Sequence, residues 1–331
     1  MMKKRKRKRK HTKNIKLCII VSIVTIVSLI SIGYGAFSTN VSINVKGNIK
    51  DFNAAWQLRK KVVTTLDGLY KDAYEENRYV YRGESPNNWI RFNNELWRII
   101  AVEPDDAIKI IRNEEIGTYA IDNRGSRDNA SDGSAGTYCH NSSSGCNAWN
   151  QKIGTYKNGT VEGTVLKDST LKTFLNGEYY ESILENSKNL IINHNFFIGT
   201  IQFENYQSII EREKTDIWNG KIGLKTISDL YKASNNPNCI ITNNDTCPDD
   251  SQRIHENFKC SLNNYLYSNN YSWTITPVLN TKSGEVCINN CGCYGWCSSY
   301  MQLSIKPVLF LNPEIKLSNE GSYNNPYEII S

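Results

Sequence analysis

Histidine is scarce in this chain, with 4 among 331 residues, and only His140, His194 and His255 lie beyond the first 37 positions. No His-Glu-x-x-His, no Gly-x-Ser-x-Gly and no glycine-rich phosphate loop occurs. The recognisable forms of zinc-protease, α/β-hydrolase and P-loop chemistry are therefore excluded. His194, after Leu190-Ile-Ile-Asn, reads as a structural histidine beside a strand, and His140 as exposed. The carboxylate pairs Glu75-Glu76 and Asp249-Asp250 read as solvated loop charges. No catalytic residue, metal or cofactor is expected from these residues, and the chain is read as non-enzymatic. No tandem repeat of about 20–50 residues is present, which excludes solenoids and propellers.

Charge is missing in two informative places. The first 16 residues hold no acid but ten cations, Lys3 to Lys10, Lys13 and Lys16. Taking these ten from the 39 basic residues leaves 29 against 33 acidic ones. A mildly acidic body lacks the basic footprint that nucleic acid requires. From Leu17 to Ala36 there is no charged residue at all. Twenty helical residues span roughly 30 Å, the thickness of a bilayer core, and the preceding cations predict a cytoplasmic N-terminus. The expectation is a single-pass cell-membrane protein with an extracellular C-terminal body. Its parts are a basic tail (1–16), a transmembrane helix or signal segment (17–37), a connector (38–66) and a folded domain (67–331).

The stretch Gly33-Tyr-Gly-Ala-Phe-Ser-Thr-Asn40 resembles leaders of camelysin-like and biofilm-matrix proteins of Gram-positive bacteria. That resemblance implies cleavage between Ala36 and Phe37 and a secreted product. Retention and cleavage both remain open at this point.

Ten cysteines are present, one of them (Cys18) in the apolar segment. Nine in an exported chain predict disulfides. Cys139 and Cys146 suit a small closed loop, worth about 2–3 kcal/mol in the entropic model. One of Cys239 or Cys247 is expected to join Cys260, and Cys287, Cys291, Cys293 and Cys297 to pair among themselves, with one thiol left over. Zinc binding or redox chemistry by the last four is the alternative, although their spacing is not a common zinc pattern. Tyr294, Trp296 and Tyr300 share that cysteine-rich stretch. Such rings bury area at low entropic cost, so they are the candidate ligand-binding residues, or else packing over the bridges.

Local patterns predict several elements. Trp89–Phe92, Asn93-Asn94 and Glu95–Val102 read as a hairpin, which Ala107–Arg112 extends to a three-stranded meander. Asp51 is placed to cap a helix bearing Phe52, Ala55, Trp56 and Val63. Helical spacing runs from Ser169 to about Leu184, with Gly177 inside it. Gly223 to Ala233 reads as a short strand and a Ser228-capped helix. Trp273–Thr276 and Ile305–Leu311 read as strands, with Pro307 at an edge or strand start.

Together, Asp67-Gly-Leu-Tyr70, Ile90-Arg-Phe-Asn-Asn-Glu-Leu-Trp-Arg-Ile-Ile100, Leu175-Asn-Gly-Glu-Tyr-Tyr180, Trp218-Asn-Gly-Lys-Ile-Gly-Leu224, Trp273-Thr-Ile-Thr-Pro277, Lys306-Pro-Val-Leu-Phe-Leu311 and Asn325-Pro-Tyr-Glu-Ile329 resemble a domain family of unassigned function. That family occurs in surface proteins of Gram-positive gut bacteria and is similar to the C-type-lectin-like fold of formylglycine-generating enzymes. The resemblance implies an α+β domain with a small twisted antiparallel sheet and long disulfide-pinned loops. The family usually has Arg where Lys306 stands, and the cysteines at 287–297 exceed its usual number. The catalytic cysteine motif of formylglycine-generating enzymes has no counterpart, so that activity is not implied. The expected function is a surface module binding a glycan, a peptide or a neighbouring surface protein through irregular loops. The alternatives are a thiol or copper oxidoreductase using Cys287–Cys297, or a structural matrix protein.

Overall fold

A computed structural model describes residues 52–122, 149, 153–157, 160–165, 168–201, 206–239, 262–267, 270–277, 284–288, 294–299 and 301–330. Asp51–Ser331 form one compact unit. It begins earlier than the Asp67 motif. Helix Ala54–Arg59, capped by the Asn53 side chain on Trp56 N–H, buries Ala54, Ala55 and Leu58 and donates Ala54 N–H to Ile315 O.

The unit is mostly β, with 35 % strand against 19 % helix, which corrects the expected C-type-lectin-like α+β class. Its centre is a ten-stranded half-barrel rather than a small sheet. The main path runs Ile222–Gly223, Val308–Leu311, Ile108–Arg112, Glu95–Val102, Trp89–Phe92, Tyr327–Ile330, Lys316–Ser318. Tyr79–Arg82 also pairs with Glu95–Val102 and carries Gly68–Lys71 on its other edge, while Ile191–Ile192 pairs with Val308–Leu311. The physical reason is legible in the strands. Glu95–Val102 and Ile108–Arg112 are rich in isoleucine and buried along almost their whole length, so they are inner strands, covered on both faces and paired along both edges. The α-helices among the described residues are short, four to eight residues, and act as connectors.

The expected hairpin forms as read. Phe92 pairs with Glu95, and Asn93 and Asn94 both take positive φ (53° and 60°), the geometry of a two-residue primed turn. The helix expected over Ser169–Leu184 breaks at Gly177 into Thr170–Asn176 and Glu178–Ser182. The helix expected from Ser228 is Ile227–Lys232, capped by Thr226 because Asp229 completes a capping box with it. The strand expected over Ile305–Leu311 starts only at Val308 and joins the first sheet, while Leu303–Ser304, just before the expected span, joins a second. Pro307, with no N–H, stands at the break and accepts from Arg112 N–H instead.

The second sheet has five strands in the order Tyr294–Ser298, Gly284–Ile288, Ser272–Pro277, Leu303–Ser304, Thr118–Tyr119. Thus part of the stretch read as a cysteine-rich loop is a hairpin, with Val286 opposite Trp296 and Cys287 opposite Gly295.

Two further expectations are corrected. No helix among the described residues is long and apolar enough to cross a membrane. The longest, Tyr206–Glu213, spans roughly 12 Å at 1.5 Å per residue. The structure therefore does not support the single-pass topology or the extracellular placement built on it. Residues 1–37, including Ala36 and Phe37, lie outside the described residues. Disulfide-pinned loops are likewise not shown among the described residues. Cys139, Cys146, Cys247, Cys260, Cys291 and Cys293 lie outside the described residues, and Cys287 is described in backbone alone. Cys239 and Cys297 are buried and disulfide-bonded. Hydrogen bonds tie the described connections, as at Gly83, where N–H reaches Ala233 O and the carbonyl takes Tyr265 N–H.

Candidate functional site

The strand register assembles a charged site at one end of the half-barrel. Tyr79 pairs with Val102, so Arg78 and Glu103, one step beyond, are brought together. Arg78 grips Glu103 through Nε–Oε2 at 2.8 Å and Nη2–Oε1 at 3.0 Å. Its Nη1 reaches Asp72 Oδ2 at 2.8 Å, and Nη2 lies 3.7 Å from Asp229 Oδ1. Lys232 Nζ meets Asp72 Oδ2 and Lys109 Nζ meets Asp229 Oδ2, both at 2.6 Å. These six side chains are all buried.

The short helix Ile227–Lys232 organises the floor. Thr226 Oγ1 accepts from Asp229 N–H at 3.0 Å, and Asp229 Oδ2 accepts from Thr226 N–H at 2.9 Å. Glu213, at the end of helix Tyr206–Glu213, turns its carboxylate onto the same N-terminus. Oε1 accepts from Ile227 N–H (3.0 Å) and Thr276 Oγ1–H (2.6 Å), and Oε2 from Ser228 N–H (3.2 Å). Two carboxyls at a helix N-terminus complement its exposed N–H groups and dipole.

Their electrostatics diverge. Burial opposes the charge of Asp229, but the Lys109 and Arg78 cations outweigh it and hold the carboxyl below its usual range. Asp72 is lowered in the same way by Lys232 and Arg78 against burial. Among the described residues no cation pairs with Glu213. Burial raises it, outweighing its hydroxyl and amide donors, and the Asp229 charge pushes the same way. Burial and the Arg78 charge lower Lys232, although Asp72 opposes them. Arg78 is raised well above its ordinary value because Glu103, Asp72 and Asp229 overcome burial.

Above this floor lies a cleft of about 230 Å³. One wall is aromatic. Phe310 pairs across the sheet with Lys109, and His194 stacks on the Phe310 ring at 4.0 Å with planes 20° apart. His194 Nε2 is 3.2 Å from Asp105 Oδ2 at the rim, and Lys214 Nζ is 3.0 Å from Glu75 Oε2. Phe197 and Ile210 complete the apolar side. A second, smaller cleft of about 90 Å³ shares Lys232 with the first.

The carboxyl groups of Glu213 and Asp229 are occupied in holding the helix and its cations. The arrangement can present fixed donors and acceptors to a ligand beside a ring face. Among the described residues no group of three or more His, Cys, Asp or Glu side chains could hold a metal ion.

The candidate ligand-binding rings read from the sequence are not among the residues lining this cleft. Tyr294 and Trp296 lie on the strand Tyr294–Ser298, with their backbones described, and Tyr300 is outside the described residues. His194 reaches the cleft wall and Glu75 its rim, while Asp249 and Asp250 are outside the described residues. The sequence reading missed Asp72, Arg78, Glu103, Lys109, Glu213, Asp229 and Lys232. One signal was present: Lys109 sits inside Ala107-Ile-Lys-Ile-Ile111, where a buried strand has no place for an unpaired cation.

Comparison with protein-family models, with curated proteins and with solved structures gives no match for this chain.

Proposed function

We propose that the chain is a non-enzymatic recognition module whose cleft takes a neutral, hydroxyl-rich ligand of the glycan class. The observation that carries the proposal is charge balance against a ring wall. Five carboxyls (Glu75, Glu103, Asp105, Glu213, Asp229) and four cations (Arg78, Lys109, Lys214, Lys232) line the cleft, and burial draws Glu213 toward its neutral form. A balanced set offers a free ion little net attraction, but it supplies both acceptors and donors for hydroxyl groups. The stacked His194 and Phe310 rings offer a flat apolar surface for a sugar's C–H face. Pockets for drug-sized ligands begin near about 300 Å³, so a cleft of this size suits one sugar unit at a chain end or branch.

A glycan array with the full-length chain tests the proposal, followed by titration of the best ligand. His194→Ala removes half of the stacked wall and is expected to weaken binding at least about tenfold, with little change in melting temperature. Trp296→Ala is the matching variant at the ring cluster Tyr294, Trp296 and Tyr300. Loss of binding in that variant, with His194→Ala unaffected, would move the site to the second sheet. Binding of charged ligands alone would overturn the neutral-ligand reading.

A further inference from the structure

A second cluster lies apart from the cleft, where the two sheets meet. Gly223 pairs with Val308 in the main sheet. Lys225 lies two residues after Gly223 and Lys306 two before Val308, just past the paired stretch, and the two ammonium groups are near enough to repel each other. Lys225 is 4 % exposed and Lys306 is half-buried. Among the described residues neither has a carboxylate within ion-pair distance, and Lys225 Nζ donates to Ser272 Oγ at 3.1 Å.

The charges facing the pair compensate it in part, through Glu115 at both lysines and Glu114 at Lys306. Lys225 feels Lys306, Glu115 and Asp229, while Lys306 feels Glu115, Glu114, Arg98 and Arg112. Asp229 is committed to Lys109, and Arg112 to Glu95. Arg98 adds a further cation with no acid of its own. Its guanidinium donates to Asn88 Oδ1 and Pro86 O and lies between the Trp89 and Tyr265 rings, 3.9 and 4.7 Å from their centroids. Burial first, and the Lys306 charge second, pull Lys225 down to about 7. Lys306 is lowered chiefly by burial.

An independent observation comes from the second sheet. Ser304 is the direct cross-strand partner of Ser272, the residue that takes the Lys225 ammonium. Its Oγ is fully buried without a hydrogen-bond partner among the described residues. A buried hydroxyl left unmade is costly. The cluster is thus rich in donors and short of acceptors.

We propose that Lys225, Lys306 and Ser304 form a binding site for a small oxoanion, whose oxygens accept from the two ammonium groups and the serine hydroxyl. The anion supplies a counter-charge in contact with the ammonium groups, which Glu115 and Glu114 give only from beyond ion-pair distance, and the half-buried Lys306 is the point of entry. The site takes the group chemistry of sulfate, phosphate or a carboxylate, and it is independent of the glycan cleft.

Thermal unfolding and calorimetric titration of the full-length chain test this, in chloride with added sulfate, inorganic phosphate or acetate at constant ionic strength. A saturable rise of roughly 2–4 °C is expected at tenfold excess over Kd, larger at pH 6.5 than at pH 9 because Lys225 must carry its proton. K306Q and K225M should each lose at least tenfold in affinity, and S304A severalfold. All three variants keep the general salting-out effect of sulfate, which isolates the specific part. Equal responses of the parent and K306Q, or of sulfate and chloride, would overturn the proposal. K306Q alters a half-buried side chain and keeps the test decisive if K225M changes the fold.

Discussion

Removing Arg78 would leave Glu103, Asp72 and Asp229 buried without the fork that joins them. Breaking such a network from one side costs about 3–5 kcal/mol, so Arg78→Met should lower the urea midpoint sharply. Arg91→Ala breaks the exposed pair with Glu328, whose side chains are 45 % and 40 % accessible, and should cost under about 1 kcal/mol. Lys225 sets a pH dependence. Its folded value of about 7 lies below the roughly 10.4 of an unfolded lysine. Between them the unfolded state holds the extra proton, so stability rises with pH across that window and is lowest below pH 7. In chloride buffer, K225M should flatten the rise in melting temperature between pH 6.5 and 9.5. None of these partnerships was legible in the sequence. Lys109 and Asp229 are 120 positions apart, and only the fold makes them neighbours.

Among the elements, those with local causes were readable. The Asn93-Asn94 hairpin and the strand start after Pro307 each follow from one or two residues and their allowed backbone angles. The cap of helix Ile227–Lys232 was misplaced by two positions, because Ser228 is as good a capping residue as Thr226 until Asp229 is seen to close the box. Thr226→Ala should cost about 1–2 kcal/mol and also loosen the cleft floor, since Asp229 loses a partner that orients it. Gly83 is a case where no side chain fits. Its φ is 115°, and an added Cβ would fall 2.1 Å from the Asp67 carboxyl. Gly83→Ala should therefore destabilise by roughly 1–3 kcal/mol, and chemical denaturation would measure it.

For the molecule as a whole, the sequence concealed the class. Motifs in order suggested a small sheet among pinned loops, whereas ten strands join into one half-barrel. Long-range pairing is the reason, because period and turn chemistry report neighbours along the chain and say little about partners far from it. Strand Tyr327–Ile330 runs parallel to Trp89–Phe92, with Tyr327 opposite Ile90 and Glu328 opposite Arg91. That pairing also has a consequence in time. A ribosome must finish residue 330 before Trp89–Phe92 can be covered on that side, although its other partner, Glu95–Val102, is synthesised at once. For most of synthesis the nascent sheet carries an open edge, and closing a loop of this length is slow. An unpaired edge invites pairing with other chains, so the nascent protein is most exposed to aggregation in the interval before its last strand arrives.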